Sequence, residues 1–199
     1  MPRVLTESDV ADFRDRLCEV AEQLFAERGP EAVTMRQLAS ALGVSPMTPY
    51  RYFKDKDDIL AAVRTAGFDR FAEALEAAYA KPGDARARGA AVGEAYVTFA
   101  FEHPQTYKLM FDMYQPNEAD YPELARSANR ARATMSQYVR SLVESGHLAG
   151  DPVRIGEMFW ASTHGCIVLE MVGKLPPGGA RKLIAEVIPA ISRGLRPTT

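Results

Sequence analysis

The sequence contains few of the residues that would place it among secreted or metal-binding proteins. Only two of its 199 residues are cysteines, and Cys18 and Cys166 lie far apart without metal-ligand spacing. Two isolated cysteines are typical of a reduced intracellular chain in which both act as small core residues. The N-terminus also lacks the apolar segment of a signal peptide. These absences predict a cytoplasmic protein with no structural disulfide and no metal site.

Long hydrophobic runs and strand-like patterns are absent as well. The longest strongly apolar run free of charged residues covers residues 158–169, which is shorter than the ~20 residues that a bilayer requires. Apolar residues recur at helical spacing nearly everywhere, and no segment alternates in the manner of a strand. We therefore predict an all-α protein without a membrane partner.

Recognisable arrangements of catalytic residues are also absent from the sequence. The chain has no paired-carboxylate, Ser/His/Asp or Cys/His arrangement, and Cys166 follows His164 at a spacing that points the two side chains about 200° apart on a helix. We expect neither enzymatic activity nor a cofactor, and an all-α enzyme is the rival class that this observation disfavours.

Turn and capping residues divide the chain into about nine predicted helices. The clearest break is the Lys-Pro-Gly-Asp sequence at 81–84. We predict a three-helix domain over residues 1–56, a connecting helix and linker over 57–84, and a helical bundle over 85–199. The predicted helices cover residues 8–28, 34–42, 45–53, 55–80, 85–102, 104–114, 121–145, 152–173 and 179–194.

Residues 34–53, TMRQLASALGVSPMTPYRYF, have the pattern of a helix-turn-helix. Thr34 and Ser45 are good N-caps, and Gly43 lies where a sharp turn needs a positive φ. The second helix is short and offers methyl, hydroxyl and guanidinium groups suited to a DNA groove. The residues that carry these groups are Met47, Thr48, Tyr50, Arg51 and Tyr52. An ordinary αα-hairpin is the alternative interpretation of this pattern taken alone.

Charge is concentrated on the same segment. Residues 34–56 carry Arg36, Arg51, Lys54 and Lys56 against Asp55, a net charge of +3, whereas residues 1–33 carry −4 and the whole chain −2. A basic segment on an acidic chain is the expected electrostatic footprint of nucleic-acid binding.

Residues 9–63 resemble the N-terminal domain of the TetR family of transcriptional regulators. The resemblance depends on AEQLFAERG at 21–29, TMRQLA at 34–39, GVS at 43–45, TPYRYF at 48–53 and KDDIL at 56–60. It implies that residues 45–52 enter the major groove of double-stranded operator DNA. The predicted DNA-binding residues are Thr34, Arg36, Ser45, Met47, Thr48, Tyr50, Arg51, Tyr52, Lys54 and Lys56.

Pro49 departs from the family pattern, which commonly has Leu or another helix former at this position. Counted from Ser45 as N-cap, Pro49 is the fourth helical residue and forfeits one intrahelical hydrogen bond. We expect a distorted first turn within a helix that is otherwise retained.

The segments YVTFAFEHPQTYKLMF at 96–111 and WASTHG at 160–165 resemble a TetR subgroup with a Trp-His-Gly signature in its regulatory domain. The resemblance implies a small, largely apolar effector bound among aromatic and methionine side chains. The alternative is that these side chains only fill the core. The predicted lining is Tyr96, Phe99, Tyr107, Met110, Phe111, Tyr114, Tyr138, Phe159, Trp160 and His164.

The last two predicted helices suggest a homodimer. The helix over 152–173 is apolar on most sides, so it must be buried on two faces. In the family these two helices pack against their symmetry mates. The predicted interface consists of Ile167, Met171, Leu183, Ile184, Val187, Ile188 and Ile191.

The function that the resemblance implies is a ligand-responsive regulator, by family default a repressor that releases its operator when the effector binds. Activation stays open. A DNA-binding protein without a ligand and a helical interaction module without DNA binding are the remaining alternatives.

Overall fold

The computed structural model describes residues 6–111 and 114–197, and the regular structure in those ranges is entirely helical. The predicted all-α fold, with an N-terminal helix-turn-helix followed by a helical bundle, is confirmed, although a 3₁₀ turn at Pro49–Arg51 replaces the predicted second helix of the helix-turn-helix. The predicted helix over 104–114 corresponds to α5, and residues 112 and 113 lie outside the described ranges. The α-helices are α1 Glu7–Arg28, α2 Met35–Ala41, α3 Lys56–Tyr79, α4 Ala85–Glu102, α5 Pro104–Phe111, α6 Pro122–Glu144, α7 Pro152–Met171 and α8 Gly179–Gly194.

These helices belong to two compact units. Within the described ranges, the first unit comprises the chain up to Asp69 together with Gln105–Ala128, and the second comprises Arg70–Pro104 together with the chain from Asn129 onward. Helix α3 therefore begins in the first unit and ends in the second, whereas α4 lies wholly in the second unit.

Helix α1 supplies the centre of the first unit's core. Thr6 caps the helix by accepting from the backbone N–H of Asp9, whose carboxylate accepts from the N–H of Thr6 in return. Buried residues follow at intervals of four, which places them on one face of the helix. The core consists of Leu17, Ala21, Phe25, Val33, Met35, Leu38, Phe53, Ile59, Leu60, Val63 and Leu109.

The described ranges contain eight α-helices instead of about nine, because residues 45–53 do not form one. Residues Pro49–Arg51 form a 3₁₀ turn. Pro49 has no N–H to donate to the carbonyl of Ser45, and its ring obstructs that carbonyl. Hydrogen bonds between residues three positions apart stabilise the segment, from Thr48 N to Ser45 O at 2.9 Å and from Arg51 N to Thr48 O at 3.1 Å. The expectation that Pro49 would distort only the first turn of a retained helix is wrong.

Arg64 of α3 is fully buried in the first unit. Its Nη2 donates to the carbonyl of Met110 at 3.4 Å and to Gln115 Oε1 at 2.9 Å, and it forms an ion pair with Glu118 at 3.2 Å. Burial lowers the pKa of the guanidinium, and Glu118 opposes that shift. The side chain therefore ties α3 to the connection that follows α5.

In the second unit, α8 packs along α7. Asp151 caps α7 by accepting from Val153 N at 3.1 Å, and Pro152 occupies the first turn, where its missing N–H costs nothing. The core cluster is formed by Val139, Leu148, Ile155 and Phe159, with Tyr138, Leu142, Val143, Ile188, Ile191 and Leu195 packed against it.

Neither a membrane-spanning helix nor a metal-binding cluster occurs among the described residues. No helix there is both long and apolar enough to cross a membrane, and no cluster of His, Cys, Asp or Glu there could hold a metal ion. Cys18 is half-buried and Cys166 is buried, both as free thiols.

Candidate functional site

Helix α2 forms the first part of the candidate DNA-binding site. Thr34 Oγ1 accepts from Gln37 N at 3.3 Å, and Gln37 Oε1 accepts from Thr34 N at 2.8 Å. The N-cap predicted at Thr34 is therefore confirmed. Leu38 and Ala39 are buried, whereas Arg36 is exposed. The cap and the core thus fix the helix that presents this cation to solvent.

Gly43 turns the chain out of α2. Its φ of 68° lies in the left-handed region that favours glycine. Gly43 N donates to Ser40 O at 3.1 Å, and Val44 N donates to Ala39 O at 3.0 Å. These bonds satisfy carbonyls at the end of α2 and direct the chain into residues 45–53, which we call the recognition segment.

Pro49 and Phe53 anchor the recognition segment in the first unit. Both are buried, and Phe53 N donates to Pro49 O at 3.0 Å. The guanidinium of Arg14 lies over the Phe53 ring, 4.0 Å from its centroid. By contrast, Met47 is 68% exposed and Tyr50 49% exposed. Large side chains held in solvent on a fixed backbone are typical of a contact surface.

Exposed cations accompany these side chains. Arg36, Arg51 and Lys54 are exposed, and none of the three forms an ion pair with a carboxylate among the residues that the structure describes. When unpaired cations of this kind neutralise DNA phosphates, they release the counterions that are condensed on the DNA. The charge that the sequence concentrates on this segment is therefore available to a nucleic-acid backbone.

Tyr52 and Lys56 are engaged within the first unit. The Tyr52 ring stacks on Phe13 with centroids 4.2 Å apart, and its carbonyl accepts from Arg14. Lys56 Nζ donates to the carbonyl of Pro30 at 2.6 Å. Tyr52 thus holds the end of the recognition segment against α1, and Lys56 holds the start of α3 against the turn that follows α1.

A cleft of about 570 Å³ opens between α4, α6, α7 and α8, and we call it the second-unit cleft. This volume lies within the ~300–1,000 Å³ typical of small-molecule sites. Gly89, Ala90 and Gly93 of α4 supply small residues along one wall. The larger lining residues are Val97, Tyr138, Leu142, Leu148, Phe159, Thr163, Ile184, Ile188 and Pro189.

Positive charge surrounds this cleft. Arg86, Arg181, Arg193 and Arg196 line it, all of them exposed, and His147 lies among them. Within the described chain, Glu94 is the single carboxylate of the lining, and it forms an ion pair with Arg181. The cleft therefore joins an apolar interior to an excess of arginines.

The ten residues predicted to line an effector site do not come together. Tyr138 and Phe159 line the second-unit cleft, and burial raises the pKa of the Tyr138 hydroxyl above its ordinary value, which keeps it neutral. Tyr96, Phe99, Trp160 and His164 lie elsewhere in the second unit, and Tyr107, Met110, Phe111 and Tyr114 belong to the first unit.

The four residues elsewhere in the second unit form a connected cluster. Trp160 Nε1 donates to the Tyr96 hydroxyl at 3.0 Å, and the Trp160 and His164 ring centroids are 6.1 Å apart. Tyr96 and Phe99 both pack on Phe71 with centroids 5.0 Å away. Burial lowers the pKa of His164. Tyr96 and Phe99 thus contribute to the core of this unit.

Of the four residues in the first unit, Met110 and Tyr114 form hydrogen bonds with residues of α3. Tyr107 and Met110 are buried, and the Tyr107 and Phe111 ring centroids are 4.9 Å apart. The Tyr114 hydroxyl donates to Asp57 Oδ1 at 3.1 Å, and this bond raises the pKa of the tyrosine.

The predicted dimer residues occupy several environments. Ile167 is 0% exposed and therefore belongs to the core of the second unit. Ile184 and Ile188 line the cleft, and Ile191 packs on the core cluster. Met171, Leu183 and Val187 are half-buried.

Helix α7 also has an exposed apolar face, as its apolar character on most sides indicates, but the sequence does not identify the residues that form it. Met158, Ala161, Val168, Leu169 and Val172 are exposed, and spacings of three, four and seven residues among them correspond to one side of the helix. The sequence signal for such a face is that the helix is apolar on most sides. Only the packing of α8 shows which side remains uncovered.

The arginines of the cleft are missed for a related reason. Arg86 lies on α4, whereas Arg193 lies in the last turn of α8 and Arg196 follows that helix, so more than a hundred positions separate Arg86 from the other two in the sequence. No local pattern connects residues that only the folded chain brings together.

Comparison with known proteins gives matches along most of the chain. Residues 17–63 match the family described as bacterial regulatory proteins, tetR family. Residues 89–190, just over half of the chain, match the family described as tetracyclin repressor-like, C-terminal domain.

Individual relatives agree with these matches. A helix-turn-helix-type transcriptional regulator from Mycobacterium tuberculosis is 26% identical over 190 residues, which cover 94% of this chain and 83% of that protein. Another from Staphylococcus aureus is 40% identical over 63 residues, which are 32% of this chain and 34% of that protein. The solved structure of a protein with unknown function from Rhodococcus sp. RHA1 has a TM-score of 0.79 at 28% identity, covering 99% of this chain and 100% of that one.

Proposed function

This chain belongs to the TetR family of bacterial regulatory proteins, and we propose on that premise that it is a homodimeric repressor that releases operator DNA when a small molecule binds its second unit. The observation that carries the proposal is the recognition segment. Met47 and Tyr50 are held in solvent by the buried Pro49 and Phe53, beside cations without carboxylate partners.

The proposed DNA surface consists of the exposed groups on and beside the recognition segment, together with the half-buried Thr48. The Met47 methyl suits a thymine methyl, and the Arg51 guanidinium suits guanine or a phosphate. Thr34 and Lys56 position this surface through side-chain groups that are engaged in the first unit, and Tyr52 does so through its ring, stacked on Phe13, and its backbone carbonyl. The proposed contacts to DNA come from Arg36, Ser45, Met47, Thr48, Tyr50, Arg51 and Lys54.

The exposed face of α7 supports the homodimer. Val168, Leu169 and Val172 form an apolar strip at the end of the helix, and Met158 extends it toward the beginning. A symmetric dimer buries the same strip from both subunits against each other. We propose that this strip, with the half-buried Met171, Leu183 and Val187, forms the interface.

Membership of the Trp-His-Gly subgroup is part of the proposal. Trp160, His164 and Gly165 lie on α7, and Trp160 is fixed by its hydrogen bond to Tyr96. This bond joins the two segments, residues 96–111 and 160–165, that resemble the subgroup.

Helix α3 is the proposed route of communication. The chain passes from the first unit into the second within this helix. A ligand of the second unit changes DNA binding only through a difference in its affinity for the DNA-bound and released conformations. We propose residues 1–56 as the DNA-binding part, 57–84 as the connection, and 85–199 as the part that binds the ligand and dimerises.

The proposal includes a cytoplasmic location, where operator DNA is accessible, and no enzymatic activity. The relatives from Mycobacterium tuberculosis and Staphylococcus aureus are named as transcriptional regulators, which supports a regulatory role for this chain.

The proposed function is tested by selecting bound sequences from a random duplex library and titrating the selected DNA at several salt concentrations. We expect a near-palindromic site with half-sites ~34–36 Å apart or somewhat more, and an affinity that falls steeply as salt rises. Binding with neither sequence preference nor salt dependence would refute the proposal.

Two substitutions test the placement of the site. Tyr50→Ala and Arg51→Ala should each weaken operator binding by roughly 5- to 150-fold, which corresponds to ~1–3 kcal/mol for one base contact. Arg140→Ala removes an exposed cation from α6 and is the matched control, with affinity retained. If both recognition-segment variants bound the operator as tightly as the control, the assignment would fail.

A further inference from the structure

We propose that the second-unit cleft binds an amphiphile, a molecule with an extended apolar body and one anionic head group. The inference rests on the proposed function, because it names the chemical class of the effector. It also moves the ligand away from the Trp160 and His164 cluster, since neither residue lines the cleft.

The interior of the cleft suits the apolar body. Val97, Leu148 and Phe159 are buried residues of its wall. A Cβ atom added at Gly93 has no neighbour within 4 Å, whereas one added at Gly89 would lie 3.3 Å from Tyr138 Cδ2. The cleft is therefore open beside Gly93 and narrow beside Gly89.

The shape of the cleft favours an elongated ligand. Arg86 and Val97 both line it from α4, and their separation of eleven residues on one helix corresponds to ~16 Å along the helix axis. An alkyl chain lying along α4 would cover this length, whereas a compact ligand would leave much of the apolar wall in water.

The two ends of the cleft differ in charge. At one end, Arg181 is paired with Glu94 and donates to Thr98 Oγ1 at 3.1 Å. Arg193 is twelve residues further along α8, ~18 Å away along the axis, so it marks the other end. There, Arg193 and Arg196 form no ion pair with any carboxylate in the described chain.

Arg86 and His147 line the same unpaired end. The carboxylate that interacts with both is Asp84, which lies outside the lining. Asp84 is already used as the N-cap of α4, where it accepts from Ala87 N at 2.8 Å. The arginines at this end therefore retain donors for an anion that enters from solvent.

Guanidinium groups recognise planar, bidentate anions such as carboxylates and also bind phosphates. A neutral apolar ligand would leave the arginines without a partner, and a cationic one would be repelled by them. The combination of apolar wall and unpaired arginines thus selects for a negative head group at the Arg193 end.

The test uses isothermal titration of the full chain with dodecanoate, dodecyl phosphate and dodecyltrimethylammonium, each below its critical micelle concentration. We expect one site per chain that prefers dodecanoate over the cationic amphiphile by at least about tenfold. The comparison of carboxylate with phosphate then identifies the head group. Equal affinity for the anionic and cationic probes would overturn the inference.

Gly93→Leu tests the position of the apolar body. The added side chain enters open space, and leucine is a better helix former than glycine, so the variant should fold with an unchanged or higher Tm. It should nevertheless lose dodecanoate binding, whereas Ala133→Leu, at an exposed position of α6, should bind like the unmodified chain. Full dodecanoate affinity in a folded Gly93→Leu variant would contradict the placement.

The double substitution Arg193→Ala/Arg196→Ala tests the head group. It should weaken dodecanoate binding about tenfold or more without weakening dodecyltrimethylammonium binding. Lys182→Ala, an exposed cation of α8 that does not line the cleft, is the control. Equal losses for both probes would overturn the role of these arginines.

Operator binding distinguishes this inference from the proposed function. If dodecanoate binds the cleft but leaves operator affinity unchanged, the inference stands and ligand-controlled release is contradicted. If dodecanoate does not bind while operator DNA binds normally, the inference fails and the DNA-binding part of the proposal stands.

Discussion

The recognition segment and the second-unit cleft are both open to solvent, but different kinds of interaction hold them. The recognition segment is shaped by neighbours in sequence: Gly43 turns the chain, Pro49 prevents an α-helix, and hydrogen bonds span three or four residues. The cleft is shaped by side chains of four helices and their connections, whose lining residues range from position 86 to position 196. A surface of the first kind can be predicted from a motif, whereas one of the second kind requires the fold.

Phe53→Ala sharpens this comparison with the largest expected effect. Phe53 is buried in the core of the first unit and anchors the recognition segment, so its truncation should lower the free energy of unfolding by ~3–5 kcal/mol. Tyr50→Ala, three residues away and half exposed, should change it by less than ~0.5 kcal/mol. Urea unfolding at one protein concentration measures both.

Equal losses of stability in the Phe53 and Tyr50 variants would contradict the separation of anchor from contact surface. The Tyr50→Ala variant should bind the operator less tightly than the unmodified chain even when it is fully folded. Its defect is then assigned to a lost contact with DNA and not to unfolding.

The first unit was predictable to the extent that its chemistry is local. Thr34 and Gly43 act as the sequence indicates, one as an N-cap and the other as a left-handed turn. The recognition helix was predicted incorrectly, because a single proline outweighed the helical preference of its neighbours. Tyr52 and Lys56 could not be recognised as engaged residues, since Phe13 and Pro30 meet them only after folding.

The second unit shows why aromatic residues alone do not locate a site. Side chains at helical spacing are equally suited to a core and to a cavity wall, and Tyr96 and Phe99 belong to the core. The cleft instead depends on Gly93, which leaves space, and on arginines from two helices. Neither signal is visible before α4 and α8 are placed side by side.

A pair of glycines tests the same contrast with a smaller effect. Gly43→Ala should destabilise the chain by ~1–2 kcal/mol, because its φ of 68° disfavours any L side chain although no atom obstructs a Cβ there. Gly93→Ala should stabilise it by ~0.5–1 kcal/mol, because the residue is helical and its Cβ meets open space. Urea unfolding midpoints measure both signs, and two shifts in the same direction would contradict this account of the two surfaces.

The smallest predicted effect concerns pH and should be confined to the second unit, which contains all three histidines of the chain. Burial lowers the pKa of His164 below its ordinary value of 6.5, so the folded chain favours the neutral ring. Its contribution to stability is therefore present above pH 6.5 and is lost as the pH falls through the lower folded-state pKa. Thermal unfolding between pH 7.5 and 5.5 should show a steeper loss of Tm for the unmodified chain than for His164→Gln, whose side chain does not titrate. If Tm fell equally with pH in both proteins, protonation of His164 would not destabilise the folded state. That result would contradict the inference that burial lowers the pKa of this histidine.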